Sequence, residues 1–371
     1  MALQPILSTH VRERSEPDHP YTEYNNYVIF KQSFHHLIEN KLLYQFFEFD
    51  HWDFYKYSPT FALLFGIFAG LPDWLGLILW NLLNSLVFVF AISRLNHLSE
   101  FQRTLFLFFT LLEMNTNLVN NQANGLMAGL MLLFFSFQEK GKYSIANFLL
   151  CLSVFIKIFS ILGFLLLFLY PNRWERILNA LLWGVFFAIL PLLVTDFESL
   201  IAQYENWLLL LKNDSSFGAG LSFHRFFTIL LNFEFDKSLS LAFGLILFIL
   251  SFLKVYLNND SFRLKVFFWA QLMIWVIIFN HRAESPTYII ALSGLFLAMF
   301  QFYNNKSFFI AISIFSILLT SLTATDLFSG AEVKKWIYEY SVKAIPAICI
   351  WFLLVYHSLT FTKNKPSLKP N

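Results

Sequence analysis

The sequence predicts an all-α integral membrane protein, a polytopic bundle of about 11 transmembrane helices with outward-facing loops and interfacial helices. Three observations carry that expectation. Hydrophobic residues make up 57% of the 371 and charged residues 13%, against roughly 25% charged in a soluble domain. Mean hydropathy is +0.57. Long Phe/Leu/Ile runs recur from residue 74 to residue 361, many of them long enough to cross a hydrocarbon layer about 30 Å thick. The 48 Phe are expected on lipid-facing helix surfaces and need no cofactor to explain them.

Residues 1–57 read as a long N-terminal loop. The first dozen residues have no apolar core and run into "VRERSEPDHP", so no signal peptide is visible. The stretch 58–71, "SPTFALLFGIFAGL", is apolar but short for a span; with Pro59 and Pro72 at its ends it predicts an interfacial or re-entrant helix. Spans follow at 74–93, 104–119, 122–138, 143–156, 158–170, 177–195, 239–257, 266–280, 287–303, 307–323 and 344–361. Several fall below the usual ~20 residues, which predicts ends that are wet or packed inside the bundle. Between the sixth and seventh spans, 196–238 contains "FESLIAQYENWLLLLKND", the pattern of an amphipathic helix lying on a membrane surface. Residues 362–371 form a Lys/Pro tail, and the chain reads as a single membrane domain without internal repeats.

Loop charge sets the orientation. One set of connections carries Arg94, Arg103, Lys140, Lys142, Arg173, Arg176, Lys254, Arg263, Lys265, Lys306, Lys363, Lys365 and Lys369. Those are 13 of the 26 basic residues, against four of the 24 acids. That side is read as cytoplasmic. The long segments 1–57, 196–238 and 324–343 then face outward. An odd number of spans ending inside requires an outer N-terminus, so either the chain inserts that way or a first helix precedes residue 1; the second is the expectation. The net charge of +2 gives no reason to expect nucleic acid. Cys151 and Cys349 lie in apolar runs without CxxC spacing, so no disulfide framework is expected.

Polar groups inside or at the edge of a membrane are costly and are candidates for function. Four clusters qualify, each with a bland alternative. Glu23 in "YTEYNNYVIF", beside Asn26 and near "FEFDHWDFYKYSPT", suits a general base toward a hydroxyl, or is a solvated loop acid. Gln122 and Asn124 in "NTNLVNNQANGLMAGL" suit hydroxyl or phosphate recognition at a helix start, or capping and interhelical bonding. Lys157, the one charge between Lys142 and Arg173, suits a lipid phosphate, or snorkels to the interface. In "IFNHRAESPTYII", His281 and Arg282 suit phosphate oxygens, while Arg282 and Glu284 can instead pair with each other.

By the loop alternation, all four clusters lie on the outer side. One carboxylate, two or three cations and several amides are what a site needs to hold a lipid-linked phosphosugar and activate a hydroxyl. No zinc-type spacing, Walker loop, dinucleotide glycine motif or G-x-S-x-G is present. No cofactor is expected. No metal is expected either, because no second carboxylate is placed to hold one; Asp53 alone leaves that question open.

The order "TEYNNYVIFKQSFHHL", "HWDFYKYSPTFALLFG", "LPDWLGLILWNLLN", "NQANGLMAGL", "FIKIF", "YPNRW" and "IFNHRAESPTYIIA" resembles glycosyltransferase family 87, from about residue 21 to about residue 300. These are GT-C fold membrane enzymes that include polyprenol-phosphate-mannose-dependent mannosyltransferases. The resemblance implies a GT-C-like bundle. It places the family's first-loop acid, usually Asp, on Glu23, one methylene longer. Its Tyr-x-Pro-Pro-like element falls on Tyr57, Ser58 and Pro59, with a single proline. Its Gln-x-Asn falls on Gln122 and Asn124, its hairpin lysine on Lys157 and its late histidine on His281.

The expected activity is transfer of a sugar, mannose among the candidates, from a polyprenyl-phosphate donor to a hydroxyl of a lipid or glycan acceptor. It would occur on the extracytoplasmic face of the cytoplasmic membrane, with membrane lipids as the surroundings. A single base implies inversion at the anomeric carbon. Lys157, Arg282 and His281 would hold the donor phosphate, and Asn26, Tyr57, Gln122, Asn124 and Glu284 would contact substrate. The competing class is a lipid or solute transporter or flippase that lines a path with the same groups; it favours charges spread through the bilayer depth.

Overall fold

The computed structural model describes residues 22–214, 220–328 and 330–362. Expectations for residues 1–21 and for the tail from residue 363 lie outside the described residues. Helices are the only regular elements among those described.

The first helix, α1 (Asn25–Ile38), occupies a stretch expected to be loop. Its period is masked by polar neighbours. Tyr27, Phe30, Ser33 and Leu37 nevertheless recur at spacings of three and four and are buried together. Helix α2 (Pro59–Ala69) matches the short apolar stretch. The Ser58 hydroxyl accepts the Phe61 N–H and Pro59 fills the first helical position, a start that needs no other cap. An edge-on aromatic knot joins these helices to α3 (Asp73–Ser93). The Phe30 ring lies 4.8 Å from Tyr57, 5.2 Å from Phe61 and 5.8 Å from Trp80. Lys31 and Asp73, 2.7 Å apart, tie α1 to the start of α3.

The chain continues through α4 (Glu100–Val119), α5 (Asn124–Glu139), α6 (Tyr143–Ile156), a 3₁₀ segment (Ile158–Leu169) and α7 (Arg173–Ile189). It then forms α8 (Phe197–Asp214), α9 (Phe223–Leu231), α10 (Lys237–Leu257) and α11 (Phe262–Ile278). Last come α12 (Tyr288–Met299), α13 (Lys306–Ser316), α14 (Ala331–Glu339) and α15 (Ile345–Leu359). Helices α5, α11 and α12 are apolar all round and buried all round, as such a pattern requires. Gly125 and Gly129, four apart, let α5 approach its neighbours closely. A Cβ on Gly125 would sit 2.9 Å from Met114 Sδ, and one on Gly129 3.1 Å from the Phe88 backbone.

Among the described residues, six helical stretches are long and apolar enough to cross a membrane: Asp73–Ser93, Arg173–Leu193, Lys237–Leu257, Ser285–Phe302, Lys306–Ala324 and Val342–Leu359. The remaining expected spans coincide with α4, α5, α6, the 3₁₀ segment and α11, which are shorter or more polar. Apolar side chains such as Leu86, Leu181, Leu182 and Ile246 are exposed on α3, α7 and α10. Some of the phenylalanines expected at the lipid are internal instead: Phe30, Phe65, Phe106, Phe134, Phe248 and Phe296 are buried.

The two ends of the bundle differ. At one end the basic connections gather: Lys140 donates to the Arg94 carbonyl at 3.0 Å, Lys265 meets Glu139 at 3.0 Å, and Arg173 meets the Tyr256 hydroxyl at 2.7 Å. At the other end of α5 lie the turn 120–123 and the polar segments that build the cavity described next.

Candidate active site

A cavity of about 650 Å³ opens at the end of the bundle opposite the basic connections, and six segments line it, five of them connections or helix entries and the sixth α8. The first is the entry to α1. Thr22, Glu23, Asn25 and Asn26 face the cavity, and Asn26 is pinned by donating to the Asn120 carbonyl at 2.8 Å.

The second wall is the run 52–57, with Trp52, Asp53, Phe54, Lys56 and Tyr57. Asn25 accepts the Trp52 N–H at 3.3 Å, so this run and the α1 entry fix each other. The Tyr44 hydroxyl holds the Tyr57 carbonyl at 2.9 Å, and Ser58 donates to the Phe155 carbonyl, next to the turn that carries Lys157. Burial first, then the Glu284 and Asp53 carboxylates, push the Tyr57 phenol far up, so it remains a neutral hydrogen-bond donor.

The third wall is the turn between α4 and α5, with Val119, Asn120 and Gln122. Asn121 takes the left-handed backbone (φ 51°) that asparagine tolerates, and its carbonyl accepts from Trp80 Nε1 at 2.9 Å. Buried amides cap the start of α5: Asn117 accepts the Asn124 N–H at 3.0 Å and Asn84 the Leu126 N–H at 2.9 Å. The capping considered for this motif is thus supplied by Asn117, with Asn84 beside it.

Lys157, Ile158 and Phe159 form the fourth wall where α6 gives way to the 3₁₀ segment. Lys157 has extended backbone (φ −137°, ψ 126°), which turns its side chain out of the helical path. Its ammonium donates to Asn124 Oδ1 at 2.8 Å and lies 5.2 Å from the centre of the Tyr57 ring.

The fifth wall is the 280–287 connection, with Asn280, His281, Arg282, Glu284 and Thr287. It is built by local bonds, Arg282 N–H to Asn280 Oδ1 at 2.9 Å and the Thr287 hydroxyl to the Glu284 carbonyl at 2.6 Å. It is backed by the chain at 220–221, where Leu221 N–H donates to the Ala283 carbonyl at 2.8 Å.

These walls are wired together. Glu284 accepts from Gln122 Nε2 at 2.8 Å, Gln122 Oε1 accepts from Asn124 Nδ2 at 2.6 Å, and Asn124 Oδ1 accepts from Lys157. The carboxylate and the ammonium thus sit at the two ends of an amide relay. Glu284 bonds Gln122, which adds a partner to the Arg282 pairing considered from sequence.

Eight of the nine residues singled out in the sequence line this one cavity: Glu23, Asn26, Tyr57, Gln122, Lys157, His281, Arg282 and Glu284. Asn124 does not. Expected to contact substrate, it is fully buried behind the wall, where it bonds Lys157 and Gln122. Sequence reasoning missed Asn120, Phe159, Thr287 and two residues of α8. Trp207 and Leu211 reach the cavity because α8 is fastened over the 41–57 run. There Gln203 bonds Leu43 N–H at 3.0 Å and the Lys41 carbonyl at 2.7 Å, and Trp207 bonds the Lys56 carbonyl at 3.1 Å. The amphipathic pattern identified the helix. It could not show that the face carrying Leu200, Gln203 and Trp207 grips the protein, leaving Ile201, Leu208 and Leu209 outward.

Asp53 also lines the cavity, 3.4 Å from Lys56. Among the described residues no group of three or more His, Cys, Asp or Glu side chains gathers as metal ligands do.

The fold and cavity can be set beside known proteins. No curated protein matches the chain. The model of a family described as Glycosyltransferase family 87 matches residues 54–279. That range includes Tyr57, Gln122, Asn124 and Lys157 and stops short of Glu23, His281, Arg282 and Glu284. Because the match covers more than half of an all-helical, membrane-type chain, the protein belongs to glycosyltransferase family 87 and is a membrane glycosyltransferase.

Proposed function

We propose that the protein moves a sugar, mannose the first candidate, from a polyprenyl-phosphate donor to a hydroxyl of a lipid or glycan acceptor. In this reading the chain is a GT-C-type bundle of about 11 spans in the cytoplasmic membrane, with the cavity on its outer face. The observation that carries the reading is the meeting of Glu23 with Lys157, Arg282 and His281 around one cavity, from three distant stretches of chain. The volume suits a sugar-phosphate headgroup, and the apolar flanks of the bundle suit a polyprenyl tail.

The chemistry follows from those groups. Glu23 accepts the proton of the acceptor hydroxyl as its oxygen attacks the anomeric carbon. The bond from that carbon to the phosphate oxygen breaks, and the electron pair leaves with the polyprenyl phosphate. Charge grows on that oxygen through an oxocarbenium-like transition state, and the Lys157 and Arg282 cations are preorganised to meet it. A single attack inverts the anomeric configuration. Tyr57, Gln122 and Asn26 are placed to orient sugar hydroxyls.

The test is transfer from radiolabelled polyprenyl-phosphate mannose by detergent-solubilised protein, where a transporter or flippase gives no product without a sealed vesicle. Glu23→Gln is expected to lower kcat by roughly 10²- to 10⁴-fold with normal expression. A Glu23→Gln protein as active as wild type removes Glu23 as base.

A further inference from the structure

Behind the cavity, and contributing nothing to its lining, lies an ion pair removed from water. Glu113 of α4 is 0% exposed and Lys343, just before α15, is 2% exposed. Their charged atoms are 2.8 Å apart although the residues are 230 apart in sequence. Taking two charges out of water is costly, and apolar side chains of similar volume commonly serve a core as well or better. Stability alone is therefore a poor account of the pair.

Its other contacts point to a different role. Lys343 Nζ also donates to Ser285 Oγ at 2.8 Å, and the Lys343 carbonyl accepts from the Thr320 hydroxyl at 3.0 Å. The ammonium lies 5.6 Å from the centre of the Tyr288 ring, and the Tyr288 hydroxyl holds the Leu221 carbonyl at 2.7 Å. Leu221 in turn donates to the Ala283 carbonyl at 2.8 Å. Lys343 thus grips the 281–288 connection at Ser285, beside Tyr288, which braces the same connection through Leu221. One peptide unit separates Ser285 from Glu284, and Glu284 is the far end of the relay through Gln122 and Asn124 to Lys157.

We propose that Glu113 and Lys343 are positioning residues for the donor phosphate, acting through Ser285 on the connection that carries Arg282 and Glu284. The pair fixes where Ser285 sits, Ser285 fixes Glu284, and the relay carries that position to the Lys157 ammonium. Glu113 accepts from Lys343 at 2.8 Å and directs it, so that its remaining donors find Ser285. This rests on the reading of the cavity as a donor-phosphate site.

The decisive variant is Ser285→Ala, which leaves the ion pair intact and cuts its link to the cavity. A second, Glu113→Leu with Lys343→Met, removes the pair as a unit and strands no buried charge. Two measurements are made on purified full-length protein: amide hydrogen exchange over residues 280–288, and KM and kcat with radiolabelled polyprenyl-phosphate mannose. Both variants are expected to keep the wild-type thermal midpoint within a few degrees and to exchange faster over 280–288. Their donor KM is expected to rise about tenfold, with kcat changed less. Ser285→Thr, which keeps the hydroxyl, is expected to restore both readouts.

Unchanged exchange in the two variants overturns the proposal, and so does faster exchange with wild-type KM. If wild-type protein transfers nothing from this donor, the functional reading fails. The exchange data then still decide whether the pair positions the connection.

Discussion

Lys157 is held by an amide oxygen and not by a carboxylate. Asn124 Oδ1, 2.8 Å away, fixes the direction of the ammonium without cancelling its charge, and the nearest relay carboxylate, Glu284, stands two amides further on. A cation kept in this way retains its charge for an incoming anion. Asn124→Asp tests the point with a near-isosteric change. A carboxylate at that position would pair with Lys157 and compete with the donor, so KM for donor is expected to rise roughly 10- to 100-fold. Thermal stability should change little, because the attraction a new ion pair gains is offset by the cost of desolvating the carboxylate. Lys157→Met should match that KM but leave Asn124 short of a donor. If Asn124→Asp keeps the wild-type donor KM, the lysine does not meet the donor's charge. The sequence raised capping and binding as competing uses for Gln122 and Asn124; the fold gives wall contact to Gln122 and places Asn124 behind it. Spacing alone could not divide them, since both follow one left-handed residue, Asn121, in the same turn.

At the scale of elements, the 280–287 connection keeps its shape partly because the chain at 220 runs against it. Gly220 has no room for a side chain: a Cβ there would lie 2.4 Å from the Ala283 carbonyl oxygen and 3.1 Å from that of His281. Both contacts are backbone, which cannot swing aside. Gly220→Ala is therefore expected to displace the segment carrying His281 and Arg282 while leaving the helices intact. Circular dichroism should be unchanged and transfer from polyprenyl-phosphate mannose should fall at least tenfold, on the order of the 1–3 kcal/mol that overpacking costs. Wild-type activity in Gly220→Ala would show that this backbone contact does not set the site.

No local pattern announced such pairings. Apolar runs were legible because each span's composition is set by its own surroundings, whether lipid or core. Helix α1 was not, since its buried face alternates with Asn26, Lys31 and His35, which dilute the signal. Glu113 and Lys343, 230 residues apart, belong to no motif in the sequence. Only the fold makes them partners, and only the fold turns Phe65 and Phe106 from lipid-facing to internal.

For the molecule as a whole, the decisive question is which end of the bundle faces which compartment. The basic connections gather at one end, where Lys140 meets Arg94 and Lys265 meets Glu139, and the cavity opens at the other. Positive charge near span ends is retained on the cytoplasmic side, so the proposed orientation has the cavity outside, where donor and acceptor lipids would meet. Two single-cysteine proteins test this after Cys151 and Cys349 are replaced. Lys41→Cys lies beside the cavity end, at a side chain 54% exposed. Lys142→Cys lies at the basic end, where the residue is also exposed. A membrane-impermeant maleimide applied to intact cells is expected to label Lys41→Cys and to spare Lys142→Cys until the membrane is opened. The reverse pattern would turn the bundle over and place sugar transfer in the cytoplasm. Nucleotide-activated donors would then have access to Lys157 and Arg282, and the case for a polyprenyl-phosphate donor would lose its main physical support.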